Sequence, residues 1–333
     1  MSCNYADNLS PYDDKGVLGT PEIFDSPSEI TTKVEQLVDL ILKSKHIVVH
    51  TGAGISTACG IPDFRGPNGV WTLEKKGIKP KIDISFKDAV PSKTHRALKH
   101  LIDKGYVKFV VSQNIDGLHM RCGTPRKNLA ELHGNMFTAE CPKCKKQFVR
   151  TSAAPTVGRK TVGDTCRNES RPCRGQLIDT ILDWEDDLPD DDLDMAMMHS
   201  TIADLNIGLG SSFQIMPCAK FPMRSQKFGG KFVLINLQAT KIEKKADLSI
   251  HAYVDEVMEM VMKRLGIEDI PEYNEAEDPT RKADFSVNWN IPKKELNSIE
   301  KLYKERNEKN KKRKGDEAAV KKKYKKTKAE DGE

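Results

Sequence analysis

A chain of 333 residues with a formal net charge of +5 and a hydrophobic share of 38% has room for one large domain, a small one and an ample core. The positive charge is concentrated at one end, because residues 292–333 hold 16 Lys/Arg and 9 Asp/Glu, whereas residues 1–291 carry a net charge of −2. No charged-then-apolar leader opens the sequence, and no apolar run approaches the roughly 20 residues of a membrane span. We therefore expect an intracellular protein without membrane contact, in which eight cysteines indicate metal ligands or free thiols more than a disulfide framework.

The first part of the chain predicts an arm, a helix and a buried strand. Residues 1–29 mix Pro, Gly, Ser and Asp without periodicity, which is typical of an irregular arm. Thr32 and Glu35 match the capping-box pattern, and apolar residues follow at helical spacing up to Leu42. The apolar run at 46–50 then predicts a strand on which this helix packs.

A second helix and two more strands follow. Residues 66–92 are rich in Lys, Gly and Pro and predict a long mobile connection without a clear amphipathic helix. A helix is expected from Thr94 to Gly105, and strands at Val107–Val111 and Asn128–Leu132. This alternation is typical of a parallel sheet with right-handed crossovers.

Four cysteines mark a separate lobe over residues 135–176, where large apolar side chains are too few for a core. They are spaced x2, x21 and x6: Cys141, Cys144, Cys166 and Cys173. Four thiolates close a tetrahedral site with no open position for water, so we predict one structural zinc ion without a catalytic role. The alternative is a set of unpaired buried thiols. The remaining cysteines are scattered and are interpreted as ordinary small side chains.

The α/β pattern resumes at Leu177 and continues to residue 266. It predicts a helix near 190–201 and one over 253–265. The strands predicted here are Leu205–Leu209, Phe232–Leu237 and Ala246–His251. Residues 30–134 and 177–266 together therefore predict one doubly wound, mostly parallel Rossmann-like sheet. Residues 267–333 predict a polar, basic, largely disordered tail. Its clusters KNKKRK (309–314) and KKKYKK (321–326) indicate nuclear localisation or nucleic-acid contact, or simply a solvated end.

Three predicted strands are followed by a glycine loop at 52–54, a polar cluster at 113–116 and His133, so these residues are expected at one edge of the sheet. Gly52-Ala53-Gly54 lets backbone N–H groups approach a phosphate, although a tight turn explains a bare G-x-G equally well. The dinucleotide fingerprint fails at Thr57, where it needs glycine. Asp63-Phe64-Arg65 places an acid, a ring and a guanidinium side by side. Gln113, Asn114 and Asp116 follow the second strand, and His133 the third; the alternatives are a polar turn and a structural histidine.

Together these motifs resemble the sirtuins, which are NAD-dependent protein deacylases. The matching stretches are GAGIS (52–56), GIPDFRG (60–66), QNIDGLH (113–119), ELHGN (131–135) and the four cysteines, in order between Lys33 and Val254. Within that family, GVW (69–71), LHGNMF (132–137) and ILDWEDDLP (181–189) are most similar to the nuclear, chromatin-bound class IV members of the sirtuin-six type.

The resemblance implies a role for each matched residue. Ala53 and Thr57, beside Gly52, would serve the phosphates of NAD, with Phe64, Arg65 and Trp71 around the reactive ribose. Gln113 would face the ribose hydroxyls, Asn114, Ile115 and Asp116 would line the nicotinamide pocket, and Asp63 would help to place nicotinamide. The adenosine half would be held by Gly210, Ser212, Asn236, Gln238 and Val254.

The resemblance also implies the reaction. The acyl oxygen of a modified lysine displaces nicotinamide at the ribose C1′ to give an alkylimidate, and His133, with Asn114 as the second catalytic residue, acts as general base on a ribose hydroxyl. Such a base contributes about 10²–10⁴-fold, and the products are lysine, nicotinamide and O-acyl-ADP-ribose. The expected substrates are acylated histone tails and nucleosomes in the nucleus, with chromatin or DNA bound through the basic tail. Longer acyl chains and mono-ADP-ribosyl transfer are further activities that this chemistry allows.

Two other classes of function compete with this interpretation. A non-enzymatic chromatin-binding module would use the zinc lobe and the basic tail, but it gives no reason for His133 or the cluster at 113–116. A hydride-transfer dehydrogenase would leave the nicotinamide bond intact, and the missing fingerprint glycine argues against it.

Overall fold

The computed structural model describes residues 9–80, 84–168 and 173–309. The strands are β1 (Ile47–Thr51), β2 (Val107–Ser112), β3 (Leu129–Glu131), β4 (Thr138–Glu140), β5 (Gln147–Val149), β6 (Thr161–Thr165), β7 (Gln176–Asp179), β8 (Leu205–Leu209), β9 (Lys231–Ile235) and β10 (Leu248–Ile250). The helices are α1 (Pro27–Lys43), α2 (Val70–Lys75), α3 (Lys93–Asp103), α4 (Leu118–Arg121), α5 (Asp190–Ile202), α6 (Val254–Arg264) and α7 (293–309). Short 3₁₀ turns include Ala53–Ile55, Thr57–Cys59 and Cys218–Met223.

Six strands form a parallel sheet in the order β3-β2-β1-β8-β9-β10. All five residues of β1 and of β8 are buried, as expected for central strands covered by helices on both faces. The strand order reverses direction between β1 and β8, which is the place where doubly wound sheets bind their ligands. The predicted Rossmann-like fold is confirmed.

Helix α1 begins earlier than its predicted capping box. Ser26 is the N-cap and exchanges hydrogen bonds with Glu29, and Pro27 occupies the first helical position. Thr32, predicted as the cap, lies inside the helix, where its hydroxyl donates to the Ser28 carbonyl oxygen at 3.1 Å. The predicted box was therefore wrong, although the buried helix face follows the predicted spacing.

Two predicted irregular segments contain order. Residues 66–92 include the short helix α2, whose buried residues Val70 and Trp71 turn toward the body. Residues 9–25 lie along the carboxyl edge of the large sheet, where the Ile23 amide donates to the Leu237 carbonyl oxygen at 2.7 Å. This segment is irregular, as predicted, but it is tied to the body by backbone contacts.

The four-cysteine lobe contains an antiparallel sheet in the order β5-β4-β7-β6. Strand β7 extends to Asp179, so this sheet ends three residues beyond the predicted limit at residue 176. Its β5 edge is covered by the C-terminal segment, because the Val149 amide donates to the Val287 carbonyl and the Phe285 amide to the Val149 carbonyl, each at 2.9 Å. Covering an edge strand removes its unpaired backbone groups from solvent.

The prediction of a largely disordered tail from residue 267 was wrong as far as residue 309. Phe285, Trp289, Ile291 and Ile299 are each less than 7% exposed. Isolated apolar residues in a polar segment gave no periodic signal, yet each of these side chains is buried in the folded protein. The clusters at 309–314 and 321–326 lie outside the described residues, apart from Lys309. Within the described part of the chain, no helix has the length and apolar character to cross a membrane.

Candidate active site

A cavity of about 270 Å³ opens at the carboxyl edge of the sheet, beside the β1–β8 reversal. It brings together most of the residues singled out from the sequence. The predicted residues that line it are Gly52, Ala53, Asp63, Phe64, Arg65, Trp71, Gln113, Asn114, Ile115, His133, Gly210, Ser212, Asn236 and Gln238. Thr57, Asp116 and Val254 are not among its lining residues in the described part of the chain.

The floor of the cavity is built from glycine backbone. A Cβ atom on Gly52 would lie 2.7 Å from Ser211 Cβ, and one on Gly54 would lie 2.9 Å from Gly210 Cα. Gly210 has a φ of +56°, and its carbonyl oxygen accepts from the Gly54 amide at 2.8 Å. The absence of side chains leaves room for a phosphate against the backbone.

One wall is aromatic and cationic. The Phe64 and Trp71 rings lie 4.6 Å apart between centroids, and the Arg65 guanidinium carbon lies 4.6 Å from the centre of the Trp71 ring. Arg65 Nε donates to the Lys15 carbonyl oxygen at 2.9 Å, so the N-terminal arm helps to hold this guanidinium. Such a wall suits an anionic, ring-containing ligand.

The cluster after β2 is held by hydrogen bonds to the glycine floor. Asn114 Nδ2 donates to the Gly52 carbonyl oxygen at 3.1 Å, and Gln113 Nε2 donates to Ser211 Oγ at 3.1 Å. Asp116 is buried beneath the cavity, where it accepts from Ser56 Oγ at 2.7 Å. Burial raises the pKa of the Asp116 carboxyl, although hydrogen bonds from Leu118 N and Ser56 oppose the shift.

His133 is half-buried, follows β3 and faces the cavity. Its Nδ1 lies 2.9 Å from the Gln113 carbonyl oxygen, an acceptor, so Nδ1 carries the proton and Nε2 is left with a lone pair. Behind Nε2, at 4.0 Å, lies the Sγ atom of Cys218. Burial lowers the pKa of His133, the Gln113 hydrogen bond raises it, and the charge of Arg65 lowers it.

The predicted residues outside the lining have other contacts. Thr57 is exposed, and its hydroxyl donates to the Gly54 carbonyl oxygen at 3.1 Å, so it closes the glycine turn. Val254 is buried at the start of α6. Asp63 does line the cavity, and burial raises the pKa of its carboxyl while the Gly66 amide, which donates to it at 3.0 Å, lowers it.

Sequence reasoning missed an apolar wall that comes from the connection after β7 and the loop after β8. Its members are Leu182, Trp184, Leu188, Ile215 and Met216. The Trp184 ring lies 5.1 Å from Trp71 and 4.7 Å from Tyr12 of the arm. Trp184 lies in the acidic stretch ILDWEDDLP (181–189), where a single ring among carboxylates gives no periodic signal.

The four predicted zinc ligands converge. Their sulfur atoms all lie within 4.8 Å of one another, with Cys141 and Cys173 at 3.5 Å and Cys144 and Cys166 at 3.6 Å. Tetrahedral Zn–S bonds of about 2.3 Å place neighbouring sulfurs about 3.8 Å apart. Four thiolates at this spacing fit one structural zinc ion, and none of the four cysteines lines the cavity.

The cavity also has groups that fit the parts of NAD. The Cβ-free floor accepts a pyrophosphate, Arg65 supplies positive charge, and the Gln113, Asn236 and Gln238 amides offer polar partners for ribose and base. The predicted cofactors, NAD and one structural zinc, are thus matched by the donor groups present.

Comparisons with known proteins agree with this chemistry. A profile of the Sir2 family matches residues 78–217. The chain is 55% identical over 309 residues to NAD-dependent protein deacetylase Sirt6 of Drosophila melanogaster, covering 91% of this chain and 97% of that protein. It is 35% identical over 284 residues to NAD-dependent protein deacetylase sir-2.4 of Caenorhabditis elegans, covering 82% and 97%.

A solved structure supports the same assignment. A complex of Sir2 with a p53 peptide and NAD⁺ matches the fold with a TM-score of 0.54 and 32% sequence identity, covering 70% of this chain and 99% of that chain. The identity and coverage of these relatives show that the chain belongs to the Sir2 family of NAD-dependent protein deacetylases.

Proposed function

We propose that this chain is an NAD-dependent protein-lysine deacylase that acts on acylated histone tails in nucleosomes and releases nicotinamide and O-acyl-ADP-ribose. The observation that carries the proposal is the placement of His133, whose Nδ1 faces a carbonyl oxygen 2.9 Å away and whose Nε2 is left as an acceptor beside the cavity.

NAD, when bound, supplies the ribose carbon that the acyl oxygen of the substrate attacks. The side chains of the protein accept the proton and shape the pocket. His133 Nε2 accepts a proton from a ribose hydroxyl, and its lowered pKa keeps the ring neutral and able to do so. Asn114, tethered to Gly52, and Asp116, beneath it, shape the nicotinamide pocket, and Asp63 closes it from the loop side.

The apolar wall formed by Leu182, Trp184, Leu188, Ile215 and Met216 supports longer acyl chains as substrates besides acetyl groups. Burial of apolar chain surface against such side chains stabilises a complex by about 0.8 kcal/mol per methylene. The same electrophilic ribose carbon supports mono-ADP-ribosyl transfer as a second activity, when another nucleophile takes the place of the acyl oxygen.

The basic clusters at 309–314 and 321–326 support a nuclear location and contact with DNA or nucleosomes. They equally support the competing function, a chromatin-binding module that does not turn over. That alternative leaves the arrangement of His133, Gln113 and Asn114 without a role.

The test is a mass-resolved product analysis with NAD and matched acetylated and long-chain-acylated nucleosomes. We expect free lysine side chains, nicotinamide and O-acyl-ADP-ribose in equal amounts, and none of these without NAD. Binding of NAD without release of nicotinamide would instead establish the binding module, and ADP-ribose attached to protein would establish the second activity.

A further inference from the structure

The C-terminal segment reaches the turn that carries His133. Trp289 contacts this part of the body through its indole N–H and its carbonyl oxygen. The indole Nε1 of Trp289 donates to Glu131 Oε2 at 2.7 Å, and the Trp289 carbonyl oxygen accepts from Arg126 Nε at 2.8 Å. Trp289 is 6% exposed and Glu131 is also 6% exposed, so both contacts are shielded from water.

The other carboxylate oxygen of Glu131 holds the far end of the same turn. Asn135 Nδ2 donates to Glu131 Oε1 at 2.5 Å, and the Gly134 amide donates to the Glu131 carbonyl oxygen at 3.1 Å. His133 lies between these two anchors. Gly134 has a φ of +84°, and a Cβ there would lie 1.9 Å from the Thr180 carbonyl oxygen, so the turn has little freedom to adopt another shape.

The base of the turn is fixed by an ion pair. Arg126 binds Asp192 through two parallel hydrogen bonds of 2.8 and 2.7 Å, and Asp192 Oδ1 also accepts from the Glu131 amide at 2.7 Å. Bidentate pairs of this kind are geometrically strict. Glu131 is thus held by its backbone from one side and by its two carboxylate oxygens from the other.

We propose that Trp289 is a positioning residue for catalysis: by donating to Glu131, it holds the turn 131–135 in the conformation that directs His133 into the cavity. This inference rests on the proposed role of His133 as general base. The C-terminal segment that contains Trp289 would then contribute to catalysis although it lies outside both the cavity and the large sheet.

The electrostatics of Glu131 explain why the indole matters. Burial raises the pKa of Glu131 to about 7, while the charge of Arg126 and the Trp289 hydrogen bond lower it; Asp192 raises it. Without the indole N–H, the carboxylate loses a stabilising donor in a buried place and is protonated more readily. Without that donor, the Glu131 carboxyl group is held less firmly against Asn135, and the turn loosens.

The decisive variant is Trp289→Phe, which keeps an aromatic ring and removes the donor. The matched control is Asn290→Ala. Asn290 bonds the Gln147 amide and the Lys145 carbonyl oxygen, so its loss loosens the same segment without touching Glu131. Glu131→Gln and the double variant with Trp289→Phe complete a cycle.

The rates of two reactions distinguish a loss of His133 positioning from general damage to the protein. Deacetylation of an acetylated histone peptide needs the base, whereas exchange of labelled nicotinamide into NAD in the presence of that peptide precedes the proton transfer. For Trp289→Phe we expect kcat for deacetylation to fall on the order of tenfold, with exchange, KM for NAD and the melting temperature close to those of Asn290→Ala. The double variant should be no slower than Glu131→Gln alone.

The inference is wrong if Trp289→Phe turns over at the rate of Asn290→Ala, or if exchange falls in step with deacetylation. If Glu131→Gln does not fold, the comparison of Trp289→Phe with Asn290→Ala still decides the matter. A wild-type protein that neither deacetylates nor exchanges would overturn the proposed function itself, which is a different result.

Discussion

The Nδ1 atom of His133 lies 2.9 Å from the carbonyl oxygen of Gln113, a residue that also reaches Ser211 across the glycine floor. This contact fixes the tautomer of the imidazole, because a carbonyl oxygen only accepts. It also links the turn after β3 to the cluster after β2, so the imidazole of His133 is held in place relative to Gln113.

We expect His133→Tyr to reduce deacetylation at least about 10²-fold, because the base is lost while the carbonyl of Gln113 stays in place. Initial rates with NAD and an acetylated histone peptide measure this. His100→Tyr, on α3 and half-buried, is the control with the same exchange of side chain and should keep the wild-type rate. Full activity of His133→Tyr would remove His133 from the mechanism.

The pH dependence of kcat should reflect the lowered pKa of His133. The ring acts as a base only when neutral, and burial shifts its pKa below 6.5. The acid limb of the kcat profile should therefore have its midpoint below pH 6.5, with activity retained at pH 6.5 and lost as the pH falls further. A midpoint at or above 6.5 would contradict the assignment of this limb to a buried His133.

Stability should fall in acid because several histidines are buried in the neutral form. Burial lowers the pKa of His46, His50 and His119 to about 4. Between pH 6.5 and 4 the unfolded chain binds protons at these positions and the folded chain does not, so the free energy of unfolding decreases by up to about 1.4 kcal/mol per pH unit for each. Glu131, with its pKa raised to about 7, opposes this between pH 7 and 4.5. Three groups outweigh one, and melting temperatures at pH 7.5, 6 and 5 should decrease in that order.

Loss of the zinc ion should destabilise the lobe but leave the cavity residues in place. We expect Cys173→Ser to release zinc and to lower the melting temperature by on the order of 10 °C, a few kcal/mol for a chain of this size. Metal content by mass spectrometry and calorimetry measure both effects. Cys122→Ala, a buried cysteine outside the cluster, should keep one zinc per chain. Zinc retained by Cys173→Ser would contradict the four-ligand site.

Two truncations should distinguish the effect of the basic end from that of the folded C-terminal segment. Residues 310–333 hold 10 Lys/Arg and 5 Asp/Glu, so their removal lowers the net charge from +5 to 0. We expect truncation after residue 309 to spare turnover of free peptide and to weaken nucleosome binding, by less as salt rises. Truncation after residue 290 removes the buried Ile291 and Ile299, which pack in one cluster with Leu132, and should lower both stability and kcat.

Equal nucleosome binding by the chain ending at residue 309 and the full chain at low salt would reduce the basic clusters to a solvated end. The folded segment is tested separately by the truncation after residue 290. If that chain melts and turns over like the full-length protein, the packing of Ile291 and Ile299 has no part in either property.

Short sequence patterns predicted the buried strands and the cysteine site, because both depend on residues that are close together in the sequence. The apolar runs of β1 and β8 are buried on both faces, and the four cysteines needed only their spacing to indicate a metal site. The capping box was misplaced because Ser26-x-x-Glu29 and Thr32-x-x-Glu35 both match the pattern. Only Pro27, a residue typical of the first helical turn, distinguishes the two.

Contacts between remote segments could not be predicted in this way. Trp289 follows its hydrogen-bond partner Glu131 by more than 150 residues, and no periodicity joins them. Trp184 sits in an acidic stretch, yet it closes on Trp71 because the connection after β7 returns along the cavity. In both cases one large side chain in a polar context gave no amphipathic signal, and tertiary packing alone determined its place.

The pairing of residues 285–289 with β5 imposes an order on biosynthesis. The cysteine lobe leaves the ribosome long before residues 285–289, so in a nascent chain the β5 edge of the lobe is still uncovered. The edge closes only when residues 285–289 emerge and pair with β5, and a chaperone present during translation would meet the open edge first.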